Sequence, residues 1–127
     1  MFTVAAPEQM NETFVRAFNT RRLDNLLALY EADATLCVDG MSSHTGTAQI
    51  AAVLGDFLQM PGTLTGRNAF CLRHGDVALL RADWTLTGPD GTTTLAGSSA
   101  EIVRRQADGT WLYIVDHAVG ASLERVG

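Results

Sequence analysis

The chain has 127 residues, a net charge of −5 and a hydrophobic content of 46%, and it contains no lysine. The acidic charge argues against a nucleic-acid partner, because phosphate binding requires a basic surface, and the missing lysine excludes Schiff-base chemistry and a lysine-containing phosphate loop. We expect residues 1–127 to form one cytoplasmic domain, because no run of about 18 apolar residues could span a membrane and residues 1–7 are too short for a signal peptide.

The first half of the chain carries helical periodicity. Apolar residues recur every three or four positions over residues 7–19, which predicts an amphipathic helix with one buried stripe. A second helix is predicted from residue 23 to about residue 31, and a third over 47–60. Between them, the β-branched segment 34–38 predicts a short strand, and a return strand through 43–44 is more weakly indicated.

From residue 64 onwards, the apolar period changes to two, which indicates β-strands. We predict strands at 64–74, 76–87, 92–106 and 110–118, joined by turns that contain glycine. Helices followed by antiparallel strands, without regular alternation of strand and helix, indicate an α+β fold.

The two faces of strand 76–87 differ in polarity. One face is apolar and holds Ala78, Leu80, Ala82, Trp84 and Leu86. The opposite face mixes charge with leucine and holds Leu79, Arg81, Asp83 and Thr85. On the next strand, Ser99, Glu101 and Val103 share one face, which places a carboxylate among small and apolar neighbours. We expect this pair of strands to form the wall of a small-molecule pocket.

Several segments of the chain, in the right order, are similar to one known superfamily. They are residues 19–40 (NTRRLDNLLALYEADATLCVDG), Gly46 with the helix at Ile50, and the motifs DVAL at 76–79, DGTW at 108–111 and IVDH at 114–117. Together they resemble the nuclear transport factor 2-like superfamily, in particular its SnoaL-like and ketosteroid-isomerase-like bacterial members. The resemblance implies a cone-shaped, cystatin-like half barrel, in which a curved antiparallel sheet packs on three N-terminal helices around one apolar cavity. It also implies a homodimer through the outer face of the sheet.

Within this resemblance, the residues expected to bind a ligand are Phe14, Val38, Leu80, Ala82, Trp84, Leu86, Ser99 and Val103. The ketosteroid isomerases of the superfamily use an aspartate base, a tyrosine and a protonated carboxylic acid. The resemblance puts Phe14 in the place of the tyrosine and Val38 in the place of the base, so that only the acid has a counterpart, Glu101. We therefore do not expect steroid isomerisation by that machinery.

Glu101 is the main candidate for a catalytic residue, because a desolvated carboxyl has a raised pKa and can act as acid, base or hydrogen-bond donor. A structural role, in which Glu101 pairs with an arginine such as Arg67 or with the backbone at the cavity rim, is the alternative. Asp116 and His117 are further catalytic candidates, and the alternative for them is an interface contact or a hydrogen bond at the strand end. Strict alternation places Asp116 inside the pocket and His117 outside it. If Asp116 points inward, one of the two carboxyls should hold a proton near neutral pH.

The last predicted strand also provides a candidate dimer surface. Alternation places Trp111, Tyr113 and Val115 on the outer face of the sheet. An exposed apolar patch that contains two large aromatic side chains is typical of an interface. We therefore expect a homodimer through this outer face.

Two functions are compatible with these residues. The first is a cofactor-independent isomerase, cyclase or dehydratase that acts by proton transfer on a small apolar ring compound. The second is a non-catalytic ligand-binding or protein-association module, because two of the three ketosteroid-isomerase positions are vacated. No cofactor or metal is expected, since the sequence has no dinucleotide motif and its three histidines lack the spacing of metal ligands.

Overall fold

The computed structural model describes residues 2–122, so that residue 1 and residues 123–127 of the predicted domain lie outside the described part. A short 3-10 helix over Pro7–Gln9 leads into α1 (Met10–Asn19), which is followed by α2 (Leu23–Leu27) and α3 (Thr47–Phe57). Because the buried residues of α1 recur at helical spacing, its apolar stripe packs against the sheet as predicted. Within residues 2–122, no helix is long and apolar enough to cross a membrane.

Seven strands form one sheet over the described residues. They are β1 (Tyr30–Cys37), β2 (Ser43–Thr45), β3 (Thr63–His74), β4 (Val77–Thr87), β5 (Thr93–Ser98), β6 (Ala100–Arg105) and β7 (Trp111–His117). Their order is β2-β1-β7-β6-β4-β3, and β5 pairs with β4 beyond the end of β6. The three helices pack on this curved, unclosed sheet, which confirms the predicted cone-shaped α+β fold.

The sheet is mixed rather than wholly antiparallel, which corrects one part of the prediction. Strands β3 to β7 pair with one another in antiparallel fashion. In contrast, β1 lies parallel to β7, with Leu36 opposite Asp116. The two strands are separated by most of the chain, so no hairpin turn imposes an antiparallel arrangement on them.

Two predicted element boundaries also change for identifiable reasons. Helix α2 ends at Leu27 instead of continuing to residue 31. The backbone that follows it pairs with the sheet instead, because the Tyr113 N–H donates to the Leu29 carbonyl at 2.8 Å. The predicted strand 92–106 is divided into β5 and β6 at Ser99. At this point the Ala82 N–H donates to the Ser99 hydroxyl oxygen at 2.9 Å instead of to a backbone carbonyl. This exchange interrupts the strand and contributes to the curvature of the sheet.

A β-bulge in β7 overturns the prediction that Trp111 and Tyr113 face outward. Both side chains are only 1% exposed. Across the neighbouring strand, Tyr113 lies opposite Val103 while Val115 lies opposite Ile102. Position 114 is therefore an extra residue that reverses the alternation. As a result, Tyr113 and Asp116 point to the same interior, although strict alternation would place them on opposite faces.

Arg21 holds the end of α3 against α1. Its backbone is in the left-handed region with φ of 62°, and its guanidinium donates to the carbonyls of Leu58, Met60 and Gly62. The same group lies 4.8 Å from the centre of the Phe18 ring. Because these carbonyls follow the last turn of α3, the arginine fixes the helix that contributes one wall of the interior cavity described next.

Candidate functional site

The concave face of the sheet and the helices enclose a cavity with apolar walls and one polar side. The helical wall consists of Phe14, Val15, Leu54 and Phe57. The apolar part of the sheet wall consists of Leu36, Val38, Leu64, Gly66, Ala82, Trp84 and Ala118. The polar side consists of Asn11, Tyr30, Ser99, Glu101, Tyr113 and Asp116. Arginine and histidine are absent from this wall of described residues, so the only charged groups near a ligand would be carboxyls.

The cavity is narrow. The cavity volume is only about 60 Å³, and the larger figure of about 600 Å³ includes the open solvent at the mouth. Typical sites for drug-sized ligands have a volume of about 300–1,000 Å³. Aromatic side chains restrict the space, and the Phe57 and Trp84 ring centres lie 6.3 Å apart in an edge-on arrangement. A thin, flat ligand would fit these walls better than a bulky one.

Glu101 and Asp116 form a carboxyl pair inside this cavity. They are direct cross-strand partners on β6 and β7, so that their side chains emerge next to each other on one face. Glu101 is 4% exposed and Asp116 is 7% exposed. Asn11 Nδ2 donates to Glu101 Oε1 at 3.1 Å, and the Tyr30 hydroxyl donates to Asp116 Oδ2 at 2.5 Å.

The second oxygen of each carboxyl is the one available to a ligand. Within residues 2–122, Tyr30 is the hydrogen-bond donor to Asp116 and leaves Oδ1 without one. Besides Asn11, the Glu101 carboxyl has the Ser99 hydroxyl as a neighbour, which can accept a hydrogen bond as well as donate one. The same part of the structure contains no fully buried side-chain oxygen or nitrogen without a partner. Both oxygens therefore retain access to the free space of the cavity that their residues line.

The environment separates the protonation states of the two carboxyls. Burial and the neighbouring charge of Asp116 raise the pKa of Glu101 to about 8, against weaker opposing hydrogen bonds from Ser99 and Asn11. Burial raises the pKa of Asp116 to about 6, and the hydrogen bond from Tyr30 opposes this rise. Because two adjacent buried carboxylates repel each other, the pair holds one proton near neutral pH, and the stronger donor, Tyr30, favours the ionised form at Asp116.

Three polar residues complete the site, and sequence analysis did not identify them. The Tyr113 hydroxyl donates to Asn11 Oδ1 at 2.7 Å, and the rings of Tyr30 and Tyr113 lie 5.0 Å apart. Burial raises the pKa of both tyrosines well above the ordinary value, so both remain neutral donors. A signal was available only for Asn11, which precedes Phe14 by three residues and therefore shares its helical face.

The structure brings most, but not all, of the predicted site residues to the cavity. Its wall includes Phe14, Val38, Ala82, Trp84, Ser99, Glu101 and Asp116. Leu80, Leu86 and Val103 are instead fully buried in the core next to it. His117 does not line the cavity, since it follows Asp116 on the strand and points to the other side; its Nδ1 accepts the Val119 N–H at 3.3 Å.

Two alternatives for these residues can be compared with the geometry. The arginine proposed as a structural partner of Glu101, Arg67, is exposed, and the hydrogen-bond partner of Glu101 is Asn11 instead. Within the described part of the chain, no group of three or more histidine, cysteine, aspartate or glutamate side chains has an arrangement that could hold a metal ion. The polar groups that line the cavity are carboxyl, hydroxyl and amide groups.

Comparisons with known proteins agree with the fold. Residues 11–114 match the family model described as the SnoaL-like domain. A provisionally assigned calcium/calmodulin-dependent protein kinase type II association domain from Thiobacillus denitrificans is similar in structure, with a TM-score of 0.78 and 24% identity over 92% of this chain and 96% of that one. A ketosteroid isomerase-like protein from Erwinia carotovora atroseptica has a TM-score of 0.71 and 21% identity over 90% and 92% of the two chains.

A nuclear transport factor 2-like protein of unknown function from Pseudomonas putida is also similar, with a TM-score of 0.69 and 22% identity over 86% of this chain and 80% of that one. No curated protein sequence matches the chain significantly. At these identities, the solved structures establish a shared fold and leave the chemistry of each cavity to its own residues.

Proposed function

The chain belongs to the SnoaL-like domain family of the nuclear transport factor 2-like superfamily, and we propose that it is an enzyme that moves a proton on a small ring compound without a cofactor. The fold itself supports a small-molecule-binding domain. The observation that carries the finer proposal is the adjacent pair of buried carboxyls on β6 and β7, with one free oxygen on each. One neutral acid next to one carboxylate is the arrangement that general acid–base catalysis requires.

Each carboxyl has a definite part in the proposed reaction. Asp116 Oδ1, as a carboxylate, takes a proton from the carbon next to a ligand carbonyl. Glu101 Oε2, as a neutral acid, donates a hydrogen bond to the carbonyl oxygen, on which negative charge develops. The same proton then returns from Asp116 to another carbon of the conjugated system. The reaction is therefore an isomerisation with no net gain or loss of protons or electrons.

The walls of the cavity define the ligand that suits this reaction. Phe14, Phe57 and Trp84 provide flat aromatic surfaces around the narrow space, which favours a small planar ring. The carboxyl pair carries about one negative charge near neutral pH, and no described cation lines the wall. Anionic ligands would be repelled in this poorly solvated space, so the proposed substrate is a neutral cyclic ketone or a related carbonyl compound.

Exchange of ligand hydrogen for deuterium tests the proposal. A panel of small cyclic ketones would be incubated with the protein in deuterium oxide, and deuterium next to the carbonyl would be measured by NMR. We expect at least one ligand to exchange about 1,000-fold faster than without protein, and Asp116→Asn to return that rate to background. Ligands that bind in the cavity without accelerated exchange would contradict catalysis and support the binding module.

A protein-association role is the second candidate, and the outer face of the sheet favours it. Leu72, Leu79, Ile102 and Val115 are successive cross-strand partners on β3, β4, β6 and β7. They form a continuous apolar row in which Leu72 is 67%, Leu79 42% and Val115 39% exposed. This row takes the place of Trp111 and Tyr113 in the expected homodimer, which we retain as a proposal.

The size of the particle in solution tests this homodimer. At micromolar concentration, we expect sedimentation at twice the chain mass of 13.6 kDa. An interface that covers the apolar row and reaches the ordinary size of about 1,600 Å² is large enough for a stable dimer. Leu79→Glu should shift the protein to monomer, since it places a charge in the middle of the apolar row. Met41→Glu is the matched control, because Met41 is 89% exposed and lies in a loop outside the row. A wild-type monomer would contradict the dimer.

A further inference from the structure

The side chain of Asn11 lies at the centre of a buried hydrogen-bond network. Its Nδ2 donates both to Glu101 Oε1 at 3.1 Å and to Asn68 Oδ1 at 2.9 Å. Its Oδ1 accepts from the Tyr113 hydroxyl at 2.7 Å. The residue is 5% exposed, so each polar atom of the amide has a partner inside the protein. An amide in this setting has one favourable orientation.

The direction of the network is set by a backbone carbonyl in β3. A carbonyl oxygen can only accept, and the Phe70 carbonyl accepts from Asn68 Nδ2 at 3.0 Å, across the irregular pairing between Asn68 and Phe70. Asn68 Oδ1 must therefore face Asn11, so that Asn11 Nδ2 is the donor to it. The remaining hydrogen of Nδ2 then faces Glu101 Oε1, which acts as an acceptor.

We propose that Asn11 is a positioning residue that holds the proton of neutral Glu101 on Oε2, the oxygen that faces the cavity. If Oε1 carried the proton, two donors would face each other across the contact with Asn11, and the amide would have to turn over. In the turned amide, Asn11 Oδ1 would face Asn68 Oδ1, and two acceptors cannot form a hydrogen bond. If the Asn68 amide also turned over, the Phe70 carbonyl would lose its donor, Asn68 Nδ2. The irregular pairing in β3 thus places the acidic proton of Glu101 on the oxygen that faces the ligand.

The inference deepens the proposed function and takes its catalytic meaning from it, because a proton on Oε2 can be donated to a ligand while one on Oε1 would be donated into the protein. The other groups that face Glu101 are Ser99, Asp116 and the two tyrosines, Tyr30 and Tyr113. The Ser99 hydroxyl also neighbours the Glu101 carboxyl, but a hydroxyl can donate or accept and therefore fits either position of the proton, whereas Asn11 Nδ2 at Oε1 can only donate. The choice between the two oxygens therefore depends on Asn11.

A titration of Glu101 by ¹³C-carboxyl NMR on the ligand-free protein tests the inference. In Asn11→Leu, an apolar side chain of similar size replaces the donor, and the pKa of Glu101 should rise by about one further unit, because a bond that favours the carboxylate is lost. The reversed amide predicts a fall instead, since Asn11 would then stabilise the neutral acid. An unchanged pKa would mean that Asn11 has only a structural role, so either of these two results overturns the proposal.

Two further variants keep the test decisive. Asn68→Ala removes the anchor from a half-buried position and should raise the pKa of Glu101 by a smaller amount, even if Asn11→Leu does not fold. Asn19→Ala is the matched control, because Asn19 also joins α1 to β3, through both polar atoms of the Leu64 backbone, but does not contact Glu101. It should lower stability and leave that pKa unchanged. Since no ligand is present, the result is independent of the deuterium-exchange test of the proposed function.

Discussion

The free energy of unfolding should fall by an amount on the order of 5 kcal/mol as the pH rises from about 4 to about 8. Glu101 and Asp116 have pKa values of about 8 and about 6 in the folded protein, compared with ordinary values of 4.5 and 3.8. A carboxyl with a raised pKa contributes stability that is fully present below its unfolded pKa. This stability is lost as the pH rises through the folded pKa, because the unfolded chain ionises more easily than the folded one.

Carboxyls on the surface act in the opposite direction, but over a lower range of pH. Neighbouring hydrogen bonds lower the pKa values of Asp24, Glu31, Asp39, Asp83, Asp90 and Asp108. The stability that these groups contribute is present above their unfolded pKa values and is lost as the pH falls below about 4. Maximum stability is therefore expected near pH 4 to 5, which is lower than for most proteins.

Urea unfolding curves recorded between pH 4 and pH 9 would measure this effect. Glu101→Gln should remove the loss of stability in the upper part of the range, so the variant should be more stable than wild type at pH 8. Asp116→Asn should flatten the lower part of the range, because its folded pKa is about 6. Asp90→Asn is the matched control, since Asp90 lies in an exposed turn and its side chain bonds, within residues 2–122, only to Thr92. A stability that is constant or rises across this range would show that the cavity does not raise the two pKa values.

The sequence allows the architecture to be predicted because its periodicity changes once. Helical spacing before residue 60 and alternation after residue 64 are enough to place helices on one side of a curved sheet. The pairing of β1 with β7 could not be predicted, since it joins segments that are about eighty residues apart and have no turn between them. The division of the strand at Ser99 was also hidden, because it depends on a side-chain hydroxyl that replaces a backbone group.

The candidate site was predicted in part, and the missing part has one main physical cause. Glu101 could be found because a carboxylate in the middle of an apolar strand face is unusual. Tyr113 was placed outside because the bulge at residue 114 reverses the alternation, and no glycine or proline in the strand indicates a bulge. Tyr30 was assigned to a helix that ends before it. The two tyrosine hydroxyls of the polar side were therefore missed, although the carboxyls themselves were identified.

Catalysis should distinguish the two carboxyls by the size and kind of the loss. Asp116→Asn should lower kcat by about 1,000-fold, because the asparagine cannot accept the proton. Glu101→Gln should lower kcat by about 100-fold with little change in KM, since the amide still donates a hydrogen bond to the ligand but is a weaker acid. Glu101→Ala should raise KM as well, because no donor remains and the cavity becomes larger.

The pH dependence of kcat/KM separates this mechanism from a role of the carboxyls in folding alone. The rate should rise as Asp116 ionises, with a pKa of about 6, and fall as Glu101 loses its proton, with a pKa of about 8. The profile is therefore bell-shaped with a maximum near neutral pH, and the two values belong to the coupled pair.

In Glu101→Gln the fall at high pH should disappear while the rise at low pH remains. Asp83→Asn, which changes a carboxylate on the outer face of β4, should retain the whole bell. A profile that keeps its alkaline fall in Glu101→Gln would assign that proton to another group, and Glu101 would lose its place in the reaction.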